Sequence, residues 1–357
     1  MTMTEMYAVL KDKPAPGAAI RRVDVPRIGS GDVLVKVERA AICGTDLHIF
    51  NWDVVASFRI RRIPLIFGHE FSGVVVDKGE NVTKVDVGDS VSGETHIADG
   101  ECYQCRTGRM HICRNLKILG VDVDGAFAEY VVVPELNAWK NDKSLDPRIA
   151  ALQEPLGCAV HAIYPRDHVE PVAGKTVLVM GCGPIGLMSI AVLKTVGAER
   201  VFAAEVSEYR LKFAERMGAD VVINPSKEDV GRIVMEETGG RGVDVVLEMS
   251  GAEESLKTGL GAVTPGGRVS ILGIYTKMVS LEINTGITLK GITVHGIYGR
   301  RMFQTWHQVK GLLNVPSFRG KIKSLITHEF KMSEIEEAVK LLNSKEAVKI
   351  VLDPKFN

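Results

Sequence analysis

Cysteine is scarce in this 357-residue chain, with six in all, and their uneven placement excludes a disulfide framework. Net charge is missing as well. The 44 Lys and Arg balance 44 Asp and Glu, which leaves no basic field to hold nucleic acid or an anionic membrane. No apolar run reaches the ~18 residues that a membrane span requires, and the N-terminus has no basic-then-apolar signal pattern. Internal repeats and low-complexity segments are also lacking. What remains is the composition of an ordinary globular protein, 45% hydrophobic and 25% charged, so a cytoplasmic, soluble protein is expected. The chain is too long for one ordinary core and comfortable as two domains.

The texture changes along its length. The first ~150 residues hold short β-branched runs separated by Gly and Asp, such as Val33–Val37, Phe71–Val76 and Glu129–Val133, and predict a small β-rich domain. From Gly174 onward strands and helices alternate. Candidate strands are Thr176–Met180, Arg200–Ala204, Val221–Ile223, Val243–Leu247, Arg268–Leu272 and Thr293–Ile297, with Gly197 and Gly218 placed as helix C-caps. Six strands with helical crossovers predict a doubly wound parallel sheet. The chain then turns helical over Met302–Leu313 and ends with the strand-like Val348–Leu352, a tail expected to pack back on the first domain.

Two constellations carry chemistry. Cys43, with Thr45 and His48 just beyond it, and the pair His69-Glu70 offer a thiolate, an imidazole and a carboxylate that one metal could gather, given a fold that closes the 26 residues between Cys43 and His69. Such a set suits a catalytic zinc with an open position. The second is Gly181-Cys182-Gly183-Pro184-Ile185-Gly186, which follows the strand Thr176–Met180 directly and opens a helical stretch. In that context Gly181 permits the tight turn, Gly183 the approach of a pyrophosphate and Gly186 close helix packing. Glu205, 19 residues after Gly186, suits ribose hydroxyls and repels a 2′-phosphate, so NAD is expected over NADP; Arg210, five residues further on, stacks on or flanks the adenine side, or admits some NADP. A zinc and a nicotinamide together point to metal-assisted oxidation of an alcohol. Cys102, Cys105 and Cys113, within twelve residues, read as a further metal lobe.

Several stretches carry a family resemblance: CGTDLHIFNWD (Cys43–Asp53), SGETHI (Ser92–Ile97), NAWK (Asn137–Lys140), QEPLG (Gln153–Gly157), LEMSGA (Leu247–Ala252), GIYGRRMFQTW (Gly296–Trp306) and ITHEF (Ile326–Phe330). Through them the chain resembles the zinc-dependent medium-chain dehydrogenases over essentially its whole length, and among these the threonine-oxidising members. The resemblance implies an α/β protein: a GroES-like β-rich catalytic domain over 1–155, a Rossmann NAD-binding domain over 156–299, and a segment 300–357 returning to the catalytic domain. It also implies a homotetramer that oxidises L-threonine to L-2-amino-3-ketobutyrate, with a polyol or 2,3-butanediol dehydrogenase as the alternative. A non-catalytic nucleotide-binding member is disfavoured by the complete set of site residues.

Carried over by position, Cys43 and His69 are zinc ligands and Glu70 is the third candidate. Glu154 stands where relatives place a ligand or a proton-relay carboxylate, and Cys158 is a rival ligand ranked as a core thiol. Thr45 and His48 form the proton path. Read with the resemblance, the cofactor residues are Gly181, Gly183, Ile185, Gly186, Glu205, Arg210, Leu272, Gly273, Ile274, Ile297 and Tyr298. Arg300 and Arg301 are candidate clamps for the substrate carboxylate. The second metal lobe departs from the family, where four cysteines are usual: its first position is Asp99, giving Asp99, Cys102, Cys105 and Cys113, with His96 and Glu101 as other possible donors. Zinc bound by three thiolates and one carboxylate is expected to be of variable occupancy.

Overall fold

A computed structural model describes residues 4–356. The chain divides into two compact units, one comprising residues 1–154 with 326–357 and the other residues 155–325.

The first unit is built on a seven-stranded sheet. Across it run Ala138–Lys140, Ser90–Gly93, Glu70–Lys78, Asp32–Ala41, Lys349–Asp353 and Ile326–Lys331, and Tyr130–Pro134 pairs with the first half of Asp32–Ala41. A second, three-stranded sheet orders Ala19–Asp24, Glu5–Lys11 and Leu65–Ile66. Period-two alternation explains the core: Val33, Val35 and Val37 all point inward and meet Phe71, Val75 and Val91. The C-terminal helix Ile335–Asn343 closes this core with Ile335, Ala338, Val339 and Leu342, a 3.6-residue stripe.

The second unit is a six-stranded, all-parallel sheet. Its order is Val221–Ile223, Arg200–Ala204, Thr176–Met180, Val243–Glu248, Val263–Ile271 and Thr293–Gly296, the doubly wound arrangement. Thr176–Met180 is buried at every position, as a strand covered on both faces must be. Gly218 ends the helix Glu208–Met217 at φ +109°, and Gly197 follows the helix Pro184–Thr195 at φ +87°. The strand expected to begin at Arg268 starts earlier, at Val263.

The expected C-terminal segment 300–357 divides between the units. Its two helices, Gln304–Leu313 and Pro316–Ser324, fall in the second unit, where Lys321 Nζ donates to the Met217 carbonyl (2.6 Å) and so caps the last turn of helix Glu208–Met217. Only 326–357 joins the first unit, because Lys349–Asp353 adds to the seven-stranded sheet beside Asp32–Ala41.

At the start of the parallel strands Asp244 ties neighbours together. Its Oδ2 accepts from the Thr176 amide (2.7 Å) and hydroxyl (2.8 Å), and its Oδ1 from Arg241 Nη1 (2.7 Å). Burial pushes its pKa up, but these three partners outweigh burial and hold it below the ordinary aspartate range. A carboxylate lowered on folding stabilises above its unfolded pKa and loses that contribution as pH falls through the folded value. Asp244→Ala is expected to cost about 1–3 kcal/mol near neutral pH. The difference in thermal midpoint between variant and parent should shrink below about pH 4.

Candidate metal centre and dinucleotide cradle

Strand register assembles the centre in the first unit. Ala41 pairs with Glu70 on one side and with Val351 on the other, so three strands bring Cys43, Glu70 and Lys349 to one end of the sheet. Donor atoms of Cys43, His69 and Glu70 lie within 4.8 Å of one another. Gly68 makes the turn before His69 at φ +87°, and a Cβ there would stand 2.1 Å from the Phe127 ring, so no other residue fits.

Around these three the structure places two residues that the sequence motifs alone left without a role. Asp46, fully buried, accepts from the Cys43 amide (2.8 Å) through Oδ2 and sets Oδ1 3.5 Å from His69 Nδ1. It therefore holds the backbone from which the Cys43 sulfur projects and sets a carboxylate beside the His69 imidazole, the kind of outer-shell partner that metal-bound histidines use. Lys349 forms a buried ion pair with Glu70 and also donates to the Ile42 carbonyl (2.9 Å). The spacing of Asp46, three residues after Cys43, carried a signal that could have found it; Lys349, nearly 280 residues from Glu70, carried none.

The electrostatics ask for a cation. Burial disfavours the charged form of His69, yet Asp46 and Cys43 outweigh it and raise its pKa well above the usual value. Burial lifts Glu70 to about 7, opposed by Lys349 and reinforced by Glu154. Among the described residues, Glu70 Oε1 has no hydrogen-bond partner. A half-buried cysteine sulfur, a buried imidazole and a buried carboxylate, with an orphaned oxygen among them, are a donor set that zinc fits. Glu154 is not drawn into this group; it accepts from the Thr95 hydroxyl at 3.3 Å. Cys158 falls in the other unit, a buried thiol 3.7 Å from Arg300 Nη1.

Thr45 opens the helix Gly44–Asn51 and holds its hydroxyl 3.9 Å from Cys43 Sγ. His48 lies one turn further, hydrogen-bonded through Nδ1 to Asp53, with about a third of its side chain exposed.

The cysteine lobe also comes together. Donor atoms of Asp99, Cys102, Cys105 and Cys113 lie within 4.8 Å of one another, with Cys102 Sγ 3.5 Å from Cys105 Sγ and 3.8 Å from Cys113 Sγ. Backbone amides already face the sulfurs: Arg114 donates to Cys102, and Asp99 and Asn115 to Cys113. Asp99 is differently occupied. Its Oδ1 accepts from the amides of Glu101 (2.9 Å) and Cys102 (3.1 Å), and Oδ2 from Asn115 Nδ2 (2.6 Å), which hold its carboxyl far below the usual range. His96 and Glu101 are not part of the group; the His96 ring contacts the His111 carbonyl at 3.0 Å.

In the second unit the glycine turn has the shape of a phosphate cradle. Gly181 adopts φ +97°, a Cβ on Gly186 would meet the Gly181 carbonyl at 2.1 Å, and nothing lies within 4 Å of a Cβ on Gly183. The turn is tight and the helix packs close. The open side falls at Gly183, the N-cap of Pro184–Thr195, where an anion finds free N–H groups. Ile185 sits in that helix's first turn. Glu205 is buried, with Oε2 accepting from the Cys182 amide (2.9 Å) and Oε1 from the Ser207 amide (3.0 Å). A carboxylate has about four lone-pair sites, so two remain for ribose hydroxyls. Arg210 follows on helix Glu208–Met217, its Nε buried without a hydrogen-bond partner among the described residues.

Leu272, Gly273 and Ile274 follow the fifth strand and Ile297 and Tyr298 the sixth, at the carboxyl edge where doubly wound sheets bind ligands. Glu248, a further residue without a role in the motif reading, braces this edge by accepting from Ser250, Gly251 and the Tyr275 hydroxyl (2.7 Å). The two proposed carboxylate clamps are engaged locally: Arg300 is buried beside Cys158, and Arg301 pairs with Asp167 at 2.6 Å.

Comparison with known proteins matches these two regions separately. Residues 29–143 fit the alcohol dehydrogenase GroES-like domain and residues 184–314 the zinc-binding dehydrogenase domain. The chain is 50% identical over 348 residues to L-threonine 3-dehydrogenase of Pyrococcus abyssi, covering 97% of this chain and 98% of that one. It is 46% identical to the Bacillus subtilis enzyme of the same name, covering 99% and 100%. Among solved structures, 2R,3R-butanediol dehydrogenase from Bacillus subtilis superposes with a TM-score of 0.87 at 32% identity, over 98% of this chain and 100% of that one. With both domain matches and full-length relatives at this identity, the chain belongs to the zinc-dependent medium-chain dehydrogenase family and is most like its L-threonine 3-dehydrogenases.

Proposed function

We propose that the chain oxidises L-threonine at its β-carbon with NAD, giving L-2-amino-3-ketobutyrate. The observation that carries this reading is the donor group of half-buried Cys43 with buried His69 and Glu70, in a chain 50% identical over 348 residues to a threonine dehydrogenase. A second reading, a 2,3-butanediol or other diol dehydrogenase, is favoured by the same donor group and the 32% identical structural neighbour, and stands behind it on identity.

When bound, zinc supplies Lewis-acid polarisation of the substrate hydroxyl, and NAD supplies the hydride acceptor. Cys43 and His69 hold the metal, with Glu70 as third donor and Asp46 fixing the first two. Glu154 lies near enough to Glu70 to raise its pKa, so both carboxylates on one metal would crowd the centre with negative charge. Lys349 offsets Glu70, and Asp46 adds back the charge that Lys349 cancels. Glu70 and Glu154 therefore do not bind tightly together with substrate. Thr45 accepts the proton of the substrate hydroxyl and passes its own to His48, whose part-exposed ring releases it to solvent. The NAD site is Gly181, Gly183, Ile185, Gly186, Glu205 and Arg210, with Leu272, Gly273, Ile274, Ile297 and Tyr298 at the strand ends.

We also place the protein in the cytoplasm as a homotetramer. Among the described residues no disulfide joins any of the six cysteines, as in a reducing compartment, and no helix is long and apolar enough to cross a membrane. The edge strand Thr293–Gly296 pairs on one side only, with exposed Leu289, Val294 and Ile283 at and near it, which suits docking of a second copy.

Zinc-loaded protein should reduce NAD faster with L-threonine than with 2,3-butanediol or sorbitol, and Cys43→Ser or His69→Ala should abolish this while NAD binding by calorimetry persists. Faster turnover on the diol would select the second reading.

Cofactor choice should follow Glu205: a preference for NAD over NADP of at least ~tenfold, narrowed in Glu205→Ser, measured as the ratio of kcat/KM values. Equal efficiency in the parent would remove Glu205 from this role.

The cysteine lobe should hold its zinc less firmly than the catalytic centre, because Asp99 is the harder donor and is already hydrogen-bonded. Asp99→Cys is expected to raise metal content toward two per chain and slow loss to a chelator, with turnover little changed. Two equally resistant zincs in the parent would contradict this.

A further inference from the structure

The helix that carries Thr45 and His48 ends in an unusual way. Trp52 closes it in the left-handed region at φ +50°, a conformation rare for a bulky side chain. The reversal returns Asp53, five residues past His48, to the His48 ring, and the Asp53 amide donates back to the His48 carbonyl (3.4 Å). Lys11 braces the turn. Wholly buried, its ammonium donates to the carbonyls of Phe50 (2.9 Å) and Gly17 (2.7 Å) and stands 5.5 Å from the centre of the Trp52 ring.

Asp53 divides its carboxylate between two tasks. Oδ1 accepts from the amides of Val55 (2.9 Å) and Ala56 (3.2 Å) and N-caps the helix Val54–Arg59, while Oδ2 meets His48 Nδ1. The cap thus locks the carboxylate that faces the imidazole. An ionised carboxylate can only accept, so Nδ1 must carry the hydrogen and Nε2 is left as the basic nitrogen.

We propose that Asp53 is a positioning residue of the proton path: held by its helix cap, it selects the His48 tautomer whose Nε2 can take a proton. This rests on the relay assigned to Thr45 and His48 above. Burial acts to raise the Asp53 pKa, but His48 and the two capping amides win and keep it below the ordinary value, so the acceptor state prevails near neutrality.

Asp53→Asn separates the two tasks. Asparagine is as good an N-cap as aspartate, and with its oxygen on the cap it turns its NH2 toward His48, forcing Nδ1 to accept and Nε2 to carry the hydrogen. In the zinc-loaded enzyme we expect kcat with L-threonine to fall at least ~tenfold, with KM for NAD and the thermal midpoint close to parent. Nitrogen NMR of histidine-labelled protein, with His48 assigned by its loss in His48→Asn, should show hydrogen on Nδ1 in the parent and on Nε2 in Asp53→Asn. Asp53→Ser, also a good cap but too short to reach the ring, should keep stability and lose part of kcat. Parental kcat or an unchanged tautomer in Asp53→Asn, with His48→Asn impaired, overturns the role of Asp53 alone. Full turnover in His48→Asn overturns the relay and this proposal with it.

Discussion

Buried negative charge at the end of the first unit's sheet is the constraint around which that unit is arranged. Asp46 and Glu70 are carried there, beside the half-buried Cys43, by chain segments that the sheet brings side by side, and burial makes each uncompensated carboxylate expensive, on the order of several kcal/mol. Lys349 meets part of that demand from a strand contributed by the last residues of the chain. Asp46 and Cys43 raise the pKa of the buried His69 well above its usual value, and a divalent cation would answer the same negative charge. The glycine before His69, pressed against Phe127, and the C-terminal strand beside Asp32–Ala41 both serve this arrangement.

The second unit handles charge in the opposite sense. It presents backbone amides rather than side-chain anions, at a helix N-terminus left open above Gly183. Its buried acids act as braces for loops. Glu205, just past the second strand, ties the glycine turn to the following loop, and Glu248, ending the fourth, ties the loops after the fourth and fifth. Both sit at the carboxyl edge of the sheet, where rigid loops are needed to hold a ligand in one place. A ribose hydroxyl that reaches Glu205 therefore meets a carboxylate already fixed by two hydrogen bonds.

Asp99 shows how one carboxylate shapes a loop in which three cysteines converge. The three sulfurs converge, and two of them, Cys102 and Cys113, receive backbone N–H groups that hold the loop's shape. The carboxylate closes the same turn by hydrogen bonds to Glu101, Cys102 and Asn115, which a thiolate would do less well. Structure in this loop is thereby partly independent of metal, and the lobe carries none of the groups assigned to catalysis.

Much of this was legible in the chain alone, for reasons that differ by element. Strands buried on both faces, such as Thr176–Met180 between Gly174 and Gly181 and Arg200–Ala204 after Gly197, announce themselves because periodicity and turn chemistry are local. The glycine turn and the Cys102–Cys105–Cys113 spacing are local too, and so were readable. The destination of residues 300–357 was not, since the split between two helices in one unit and a strand in the other depends on which surfaces they bury. Nor were the partners of the site residues. Lys349 reaches Glu70 only through strand register, Asp53 reaches His48 only because Trp52 reverses the chain, and Arg301 is taken by Asp167. Sequence by itself determined which chemical groups are present and the local turns that display them. Tertiary structure decided which charges face one another, because a buried charge is governed by its neighbours in space and those neighbours come from distant parts of the chain.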